Sequence, residues 1–319
     1  MSEILLEGRQ LTRRYTTDAG RILMACNGVD LVLHKGETLG IVGESGCGKS
    51  TLLRLLTQLE RPDAGRLLLG GEDVTGLKGE GLRQSRRHIQ MVFQDPAAAF
   101  FPRMKAGDAV SEPLRNFEKL SRQEINKRVA QLLELVQLPK DYAQRYPHSM
   151  SGGQRQRLGI ARALALNPSI LVCDEATSAL DVSVQEQIIR LLVDIQRQRR
   201  LSMIFVCHDL ALVQSLSHRV MVMYLGNAVE VLPGDQVWNR ACHPYARALL
   251  DSVFAIDMNF SKPIAPLEGD VPSPLDLPAG CPFGARCPRF MERCRSEKPP
   301  LVPVAPDHQV ACHLHSMAT

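Results

Sequence analysis

The sequence has no apolar run long enough to cross a membrane. A helical span needs about 18 residues, and the best stretch, Val220 to Leu232, is interrupted by Gly226, Asn227 and Glu230. The opening residues, Met1-Ser-Glu-Ile-Leu-Leu-Glu-Gly-Arg9, have no basic segment leading into an apolar core, so no secretory leader is expected. Strong charge of either sign is missing too. The formal net charge is +4 over 319 residues, and the arginines do not alternate with aromatics, so charge gives no support to nucleic-acid binding. These absences predict a cytosolic chain. With 45% hydrophobic residues it has ample material for a packed core, as one large domain or one domain plus an appendage.

Nine cysteines would be odd in a secreted protein, and their distribution tells more than their number. Cys26, Cys47, Cys173, Cys207 and Cys242 are scattered, as buried free thiols usually are. Cys281, Cys287, Cys294 and Cys312 crowd into the last forty residues.

Short apolar runs predict strands at Thr38–Gly43, Arg66–Leu69, Ile170–Cys173, Met203–Cys207 and Val220–Tyr224. Apolar residues at 184, 188, 191, 192 and 195 predict one face of a helix over Val184–Arg200. Strands alternating with helices indicate a mostly parallel sheet, and such folds bind ligands where strands end. From about 98 to 168 strand signal is weak, which predicts a helical insertion carrying a helix over Glu124–Leu138. Beyond about 257 prolines gather in a linker-like stretch (Pro263, Pro266, Pro272, Pro274, Pro278), followed by an aperiodic tail. The arginine runs Arg83–Arg87 and Arg197–Arg200 read as solvated faces.

Gly43-Glu-Ser-Gly-Cys-Gly-Lys-Ser50 stands between a predicted strand and a predicted helix. Glycines let backbone N–H groups turn inward around phosphates, the helix N-terminus favours negative charge, Lys49 neutralises phosphate oxygens and Ser50 can bind Mg²⁺. Asp174, at the end of the apolar run from Ile170, can hold the metal's shell. Glu175 follows it, placed to polarise a water for attack on a γ-phosphate. His208 tips the next predicted strand.

With Ser151-Gly152-Gly153-Gln154 added, the set resembles the ATP-binding subunits of ABC transporters over nearly the whole chain. The resemblance implies an α/β P-loop NTPase fold with a mostly parallel sheet, an antiparallel β-subdomain, a helical insertion and an irregular Cys-rich extension. Residues 1–257 would form the nucleotide-binding domain and 258–319 the linker and extension. It further implies that Gly43, Ser45, Gly46, Cys47, Gly48, Lys49, Ser50 and Thr51 hold ATP, with Ser50, Gln94 and Asp174 around Mg²⁺. Gln94 and His208 would sense the metal, the water and the γ-phosphate beside the base Glu175. Tyr15 resembles the aromatic that stacks on adenine. Ser151, Gly152, Gly153 and Gln154 would serve an ATP held by a second subunit, with Asp181 coupling the two sites. Met150 stands where the signature usually has leucine.

The match narrows to the dipeptide, oligopeptide and nickel importer branch, on the phosphate loop, Ser178-Ala-Leu-Asp-Val-Ser-Val-Gln185, His243-Pro-Tyr-Ala-Arg-Ala-Leu-Leu250 and the cysteine tail. This implies a second ATPase subunit, two permease subunits and an extracytoplasmic solute-binding protein as partners, at the cytoplasmic face of the membrane. A soluble cassette ATPase of DNA repair or translation is the competing class, but neither sustained heptads nor a second cassette is present. Ala97-Ala-Ala-Phe-Phe-Pro-Arg103 departs from the branch where a permease helix should be received. The tail's spacing, C-x5-C-x6-C-x17-C, does not fit short zinc knuckles. The branch implies a [4Fe–4S] cluster in some members; zinc with help from His308 or His313, or free thiols, are the alternatives.

Overall fold

Strands buried at every position need cover on both faces, and Thr38–Val42 and Ser202–Val206 are of that kind. A computed structural model describes residues 3–95, 99–177, 180–207, 210–251 and 272–315. Among them the strands in chain order are β1 (Ile4–Thr16), β2 (Ile22–His34), β3 (Thr38–Val42), β4 (Ala64–Leu69), β5 (Glu72–Asp73) and β6 (Ile89–Val92). They continue with β7 (Ile170–Asp174), β8 (Ser202–Val206), β9 (Arg219–Tyr224), β10 (Asn227–Pro233), β11 (Val302–Ala305) and β12 (His308–Val310). The predicted runs are all present, with ends moved by a residue or two. No described helix is long and apolar enough to cross a membrane.

The chain divides into two compact units. One takes 4–33, 38–76 and 206–319. In it β2, β1, β4 and β5 form an antiparallel sheet in that order, with Leu6 opposite Leu69 and Gly8 opposite Leu67. The same unit pairs β3 parallel to β9, Leu39 against Arg219 and Val42 against Val222. Strand β10 returns antiparallel to β9, and the late hairpin β11–β12 adds to its far edge, Glu230 opposite Val310. The tail is thus not wholly irregular: its described residues carry this hairpin, with strands of four and three residues, and the short helical turns Gly284–Arg286 and Arg293–Ser296, all too short to give a readable period.

The other unit takes 1–3, 34–37 and 77–205. Strands β6 and β7 run parallel, Ile89 against Ile170 and Val92 against Cys173, and β8 follows β7 in the order. Between β6 and β7 the described residues carry helices Ala106–Phe117, Arg122–Leu135 and Gly152–Ala163. The second of these begins two residues before the predicted helix because Ser121 and Glu124 close a capping box, each side chain bonding the other's backbone N–H. Helix Val182–Arg199 buries Ile188, Ile189, Leu191, Leu192 and Ile195 on one face. The first arginine run is more than a solvated face. Arg83 donates to the Asn116 carbonyl and lies 4.3 Å from the Phe117 ring centre, while Arg87 pairs with Glu118 at 2.7 Å. Both arginines therefore fasten helix Gly79–His88 to the end of helix Ala106–Phe117.

Candidate active site

The phosphate loop starts where β3 ends and closes on helix Lys49–Leu56. Two of its glycines are required sterically. Gly43 has φ 154°, and a Cβ there would sit 2.2 Å from the Met223 carbonyl oxygen; Gly48 has φ 101°, with 2.1 Å to that of Ala25. Lys49 is buried, its Nζ donating to the carbonyls of Gly43 at 2.7 Å and Glu44 at 3.0 Å. The ammonium therefore sits inside the turn, in reach of what the loop surrounds. Ser45, Gly46 and Ser50 are exposed, and Thr51 is half-buried. Cys47 is buried, which pushes its thiol up although Lys49 beside it pulls the other way. In the same unit the Tyr15 hydroxyl donates to Glu60 at 2.6 Å, and the Arg13 guanidinium lies 5.0 Å from the ring centre.

In the other unit β7 delivers Asp174 and Glu175 at its end. Glu175 has φ 45°, a left-handed conformation that costs a non-glycine residue about 1–3 kcal/mol and recurs where geometry serves chemistry. Gln94, just past β6, donates from Nε2 to Glu175 Oε2 at 2.8 Å. Parallel pairing of β6 and β7 brings these two together from 81 residues apart. His208 lies outside the described residues.

Ser151 is the N-cap of helix Gly152–Ala163, in a capping box with Gln154: Gln154 N donates to Ser151 Oγ at 3.3 Å, and Ser151 N donates to Gln154 Oε1 at 3.1 Å. The first-turn N–H groups of Gly152 and Gly153 head the helix with no acid among them, a favourable setting for an anion. A Cβ on Gly153 would lie 2.5 Å from Val184 Cγ1, so this glycine also serves packing. Asp181 caps the next helix, accepting from Val184 N at 3.0 Å and Ser183 Oγ at 2.8 Å. These bonds hold its carboxyl below the ordinary range. Ser178 and Ala179 lie outside the described residues, as do 96–98; Phe100 is buried and Phe101 exposed.

The extension gathers its cysteines. Cys281, Cys294 and Cys312 are buried and Cys287 is half-buried, and Cys281 N donates to the Cys294 carbonyl at 2.8 Å. Burial pushes the Cys281 thiol up to about 11. That donor set suits a thiolate-held cluster.

Sequence reasoning missed two groups here. Buried Glu230 accepts from Cys242 N at 2.7 Å, His243 N at 2.9 Å and His308 Nε2 at 2.7 Å. Glu230, Cys242 and His308 lie close enough to share an ion, but the carboxylate is already committed to these bonds, which pin the late hairpin to β10. The second is Arg286, which reaches Glu44 of the phosphate loop. Neither pairing had a signal in spacing, since 78 and 242 residues separate the partners.

The ABC transporter family model matches residues 26–178, and the model for the oligopeptide/dipeptide transporter C-terminal region matches 229–294. The probable peptide ABC transporter ATP-binding protein y4tS of Sinorhizobium fredii is 49% identical, covering 100% of this chain and 92% of its own. The di/tripeptide transport ATP-binding protein DppF of Pseudomonas aeruginosa is 47% identical, covering 98% of both. Among solved structures, the dimeric post-hydrolysis state of the ATP-binding cassette MJ0796 with ADP and Pi matches at a TM-score of 0.66 and 30% identity. It covers 72% of this chain and 98% of that one.

Proposed function

The chain belongs to the ATP-binding proteins of ABC transporters, in the oligopeptide and dipeptide group, and on that premise we propose how its residues divide the work. It is an ATP-hydrolysing subunit that powers peptide import. Residues 43–51 cradle the phosphates, with Lys49 neutralising charge and Ser50, Gln94 and Asp174 holding Mg²⁺. Glu175 takes a proton from the attacking water, Gln94 orients water and base, and His208 contacts the γ-phosphate. Tyr15 stacks on adenine with its face away from Arg13. Ser151, Gly152, Gly153 and Gln154 bind the γ-phosphate of an ATP held by a second ATPase subunit, and Asp181 couples the two sites, so ATP closes the dimer and hydrolysis reopens it. Residues 1–257 carry this cycle, beneath two permease subunits at the cytoplasmic face of the membrane, with an extracytoplasmic binding protein delivering the peptide. Cys281, Cys287, Cys294 and Cys312 would hold a [4Fe–4S] cluster as a structural or regulatory group, which would supply iron–thiolate cross-links within the extension.

The observation that carries the assignment is the 2.8 Å bond from Gln94 to Glu175, with Glu175 in its left-handed conformation at a strand end. It supports Glu175 as a base whose carboxylate is aimed before substrate arrives. In Glu175→Gln, Mg-ATP binding persists, ATP-bound dimers accumulate on size-exclusion chromatography, and turnover falls by about 10²–10⁴-fold, the usual contribution of a general base. Normal turnover in that variant would refute the assignment.

A further inference from the structure

Glu44 is held at three points. Its carbonyl accepts from Lys49 Nζ at 3.0 Å, and its N–H donates to the Tyr245 hydroxyl at 2.9 Å. Its carboxylate accepts from Arg286 Nη1, 3.1 Å from Oε1 and 2.9 Å from Oε2. Only the first hold comes from within the loop. Tyr245 lies on helix Pro244–Asp251, and Arg286 ends the 3₁₀ turn Gly284–Arg286 between Cys281 and Cys287.

The two outside holds share a support. Phe283 is 1% exposed and packs edge-on against Tyr224, ring centres 5.3 Å apart, and tilted against Tyr245 at 5.4 Å. The Arg286 side chain is 5% exposed and that of Glu44 23%, so the pair sits largely out of water, where an ion pair is rigid and costly to break. Nη1 also lies 3.4 Å from the Tyr224 hydroxyl, and Nε is buried with no acceptor among the described residues. The guanidinium charge thus leans on Glu44. Gly43, the preceding residue, is wedged against the Met223 carbonyl, so the peptide entering the loop has little freedom once Glu44 is fixed.

We propose that Arg286, in the C-terminal extension, is a positioning residue for ATP binding: through the Glu44 carboxylate it holds the phosphate loop in its binding shape. A loop fixed beforehand pays less ordering entropy when the phosphates arrive, so its gain appears in nucleotide affinity. Seated between two of the four cysteines, Arg286 makes the extension's fold felt at the nucleotide. The proposal rests on residues 43–51 being the nucleotide site.

The test titrates Mg-ATP into the full-length chain and into Arg286→Ala, Arg286→Lys, Glu44→Gln and the Arg286→Ala/Glu44→Gln double variant, each first checked for folding by circular dichroism. Arg286→Ala should raise Kd about tenfold, within the range usual for coupled sites. KM should rise in parallel, while kcat at saturating ATP stays within about twofold of wild type, since bound phosphates re-form the loop. Arg286→Lys should restore most of the affinity, because Nη1 alone spans both carboxylate oxygens and an ammonium can do the same. The double variant should bind no more weakly than the worse single one. Wild-type affinity in folded Arg286→Ala, or additive losses in the double variant, overturns the proposal. Should Arg286→Ala not fold, Glu44→Gln decides: wild-type affinity there overturns it, and weakened affinity supports it. Lys49→Ala is the control for the site itself; if it binds Mg-ATP normally, the nucleotide-site reading fails, an outcome distinct from failure of the Arg286 contact.

Discussion

At the scale of residues, one side chain often answers two demands, and the second is visible only in space. Gly153 is read from sequence as a signature glycine that lets N–H groups approach a phosphate. The structure adds a packing demand, because a methyl group there would meet Val184 Cγ1 at 2.5 Å. Valine is stiff at χ1 and cannot swing aside freely. Gly153→Ala should therefore lower stability by about 1–3 kcal/mol, the usual cost of overpacking. In Gly153→Ala/Val184→Ala most of that loss should return while ATPase activity does not. Chemical denaturation and ATPase assays on the same samples separate the two roles, and recovery of both together would mean that the glycine serves packing alone. Glu175 is the opposite case, a residue whose own backbone conformation is unfavourable and whose side chain is engaged by Gln94.

Helix Pro244–Asp251 shows what an element needs at its ends. Its first turn lacks an ordinary Ser, Thr, Asp or Asn cap; instead His243 Nδ1 accepts from Tyr245 N at 3.1 Å. Only an unprotonated Nδ1 can accept. His243 is buried, and burial, with a smaller push from His315, holds its pKa down at about 3. The unfolded chain therefore takes up a proton near pH 6.5 that the folded chain refuses until about pH 3. The stability due to neutral His243 is full above pH 6.5 and drains away as pH falls toward 3, by up to about 1.4 kcal/mol per pH unit. Between pH 7 and pH 5 the wild type should lose about 2 kcal/mol more than His243→Asn, whose amide oxygen can take over the cap without titrating. Urea titrations at the two pH values measure this, and equal losses in the two proteins would remove His243 as the cause. The same helix presents Tyr245 to Glu44, so its cap contributes to the setting of the phosphate loop.

For the molecule as a whole, the extension is integrated with the phosphate-loop unit. Its hairpin joins β10 through Glu230 and His308, its Phe283 enters an aromatic cluster with Tyr224 and Tyr245, and Arg286 meets Glu44. Hairpin docking also fixes the backbone that leads to Cys312, two residues past β12, which the proposed cluster would tie to Cys281, Cys287 and Cys294. Protein purified without oxygen should accordingly carry about four iron atoms per chain, as expected of a [4Fe–4S] centre, measured by metal analysis with the matching visible absorption. Zinc at one per chain, or no metal at all, would rule the cluster out.

The sequence by itself determined the fold class, the nucleotide chemistry and the peptide-importer group, because these reside in local patterns. A phosphate loop, a capped glycine helix start and an apolar run ending in Asp-Glu are written in consecutive residues, and their geometry follows from backbone sterics. The strands read from the sequence, β3, β4, β7, β8 and β9, were legible because each holds a short apolar run. Tertiary structure alone decided the contacts between residues remote in sequence. Gln94 reaches Glu175 because β6 and β7 lie parallel, Glu230 reaches His308 because the nine-residue hairpin 302–310 docks on β10, and Arg286 reaches Glu44 because Phe283 anchors its turn. A single arginine or glutamate carries no period and no spacing from which to read its partner. Its meaning is fixed by where the chain returns, and that is settled by the packing of the entire core.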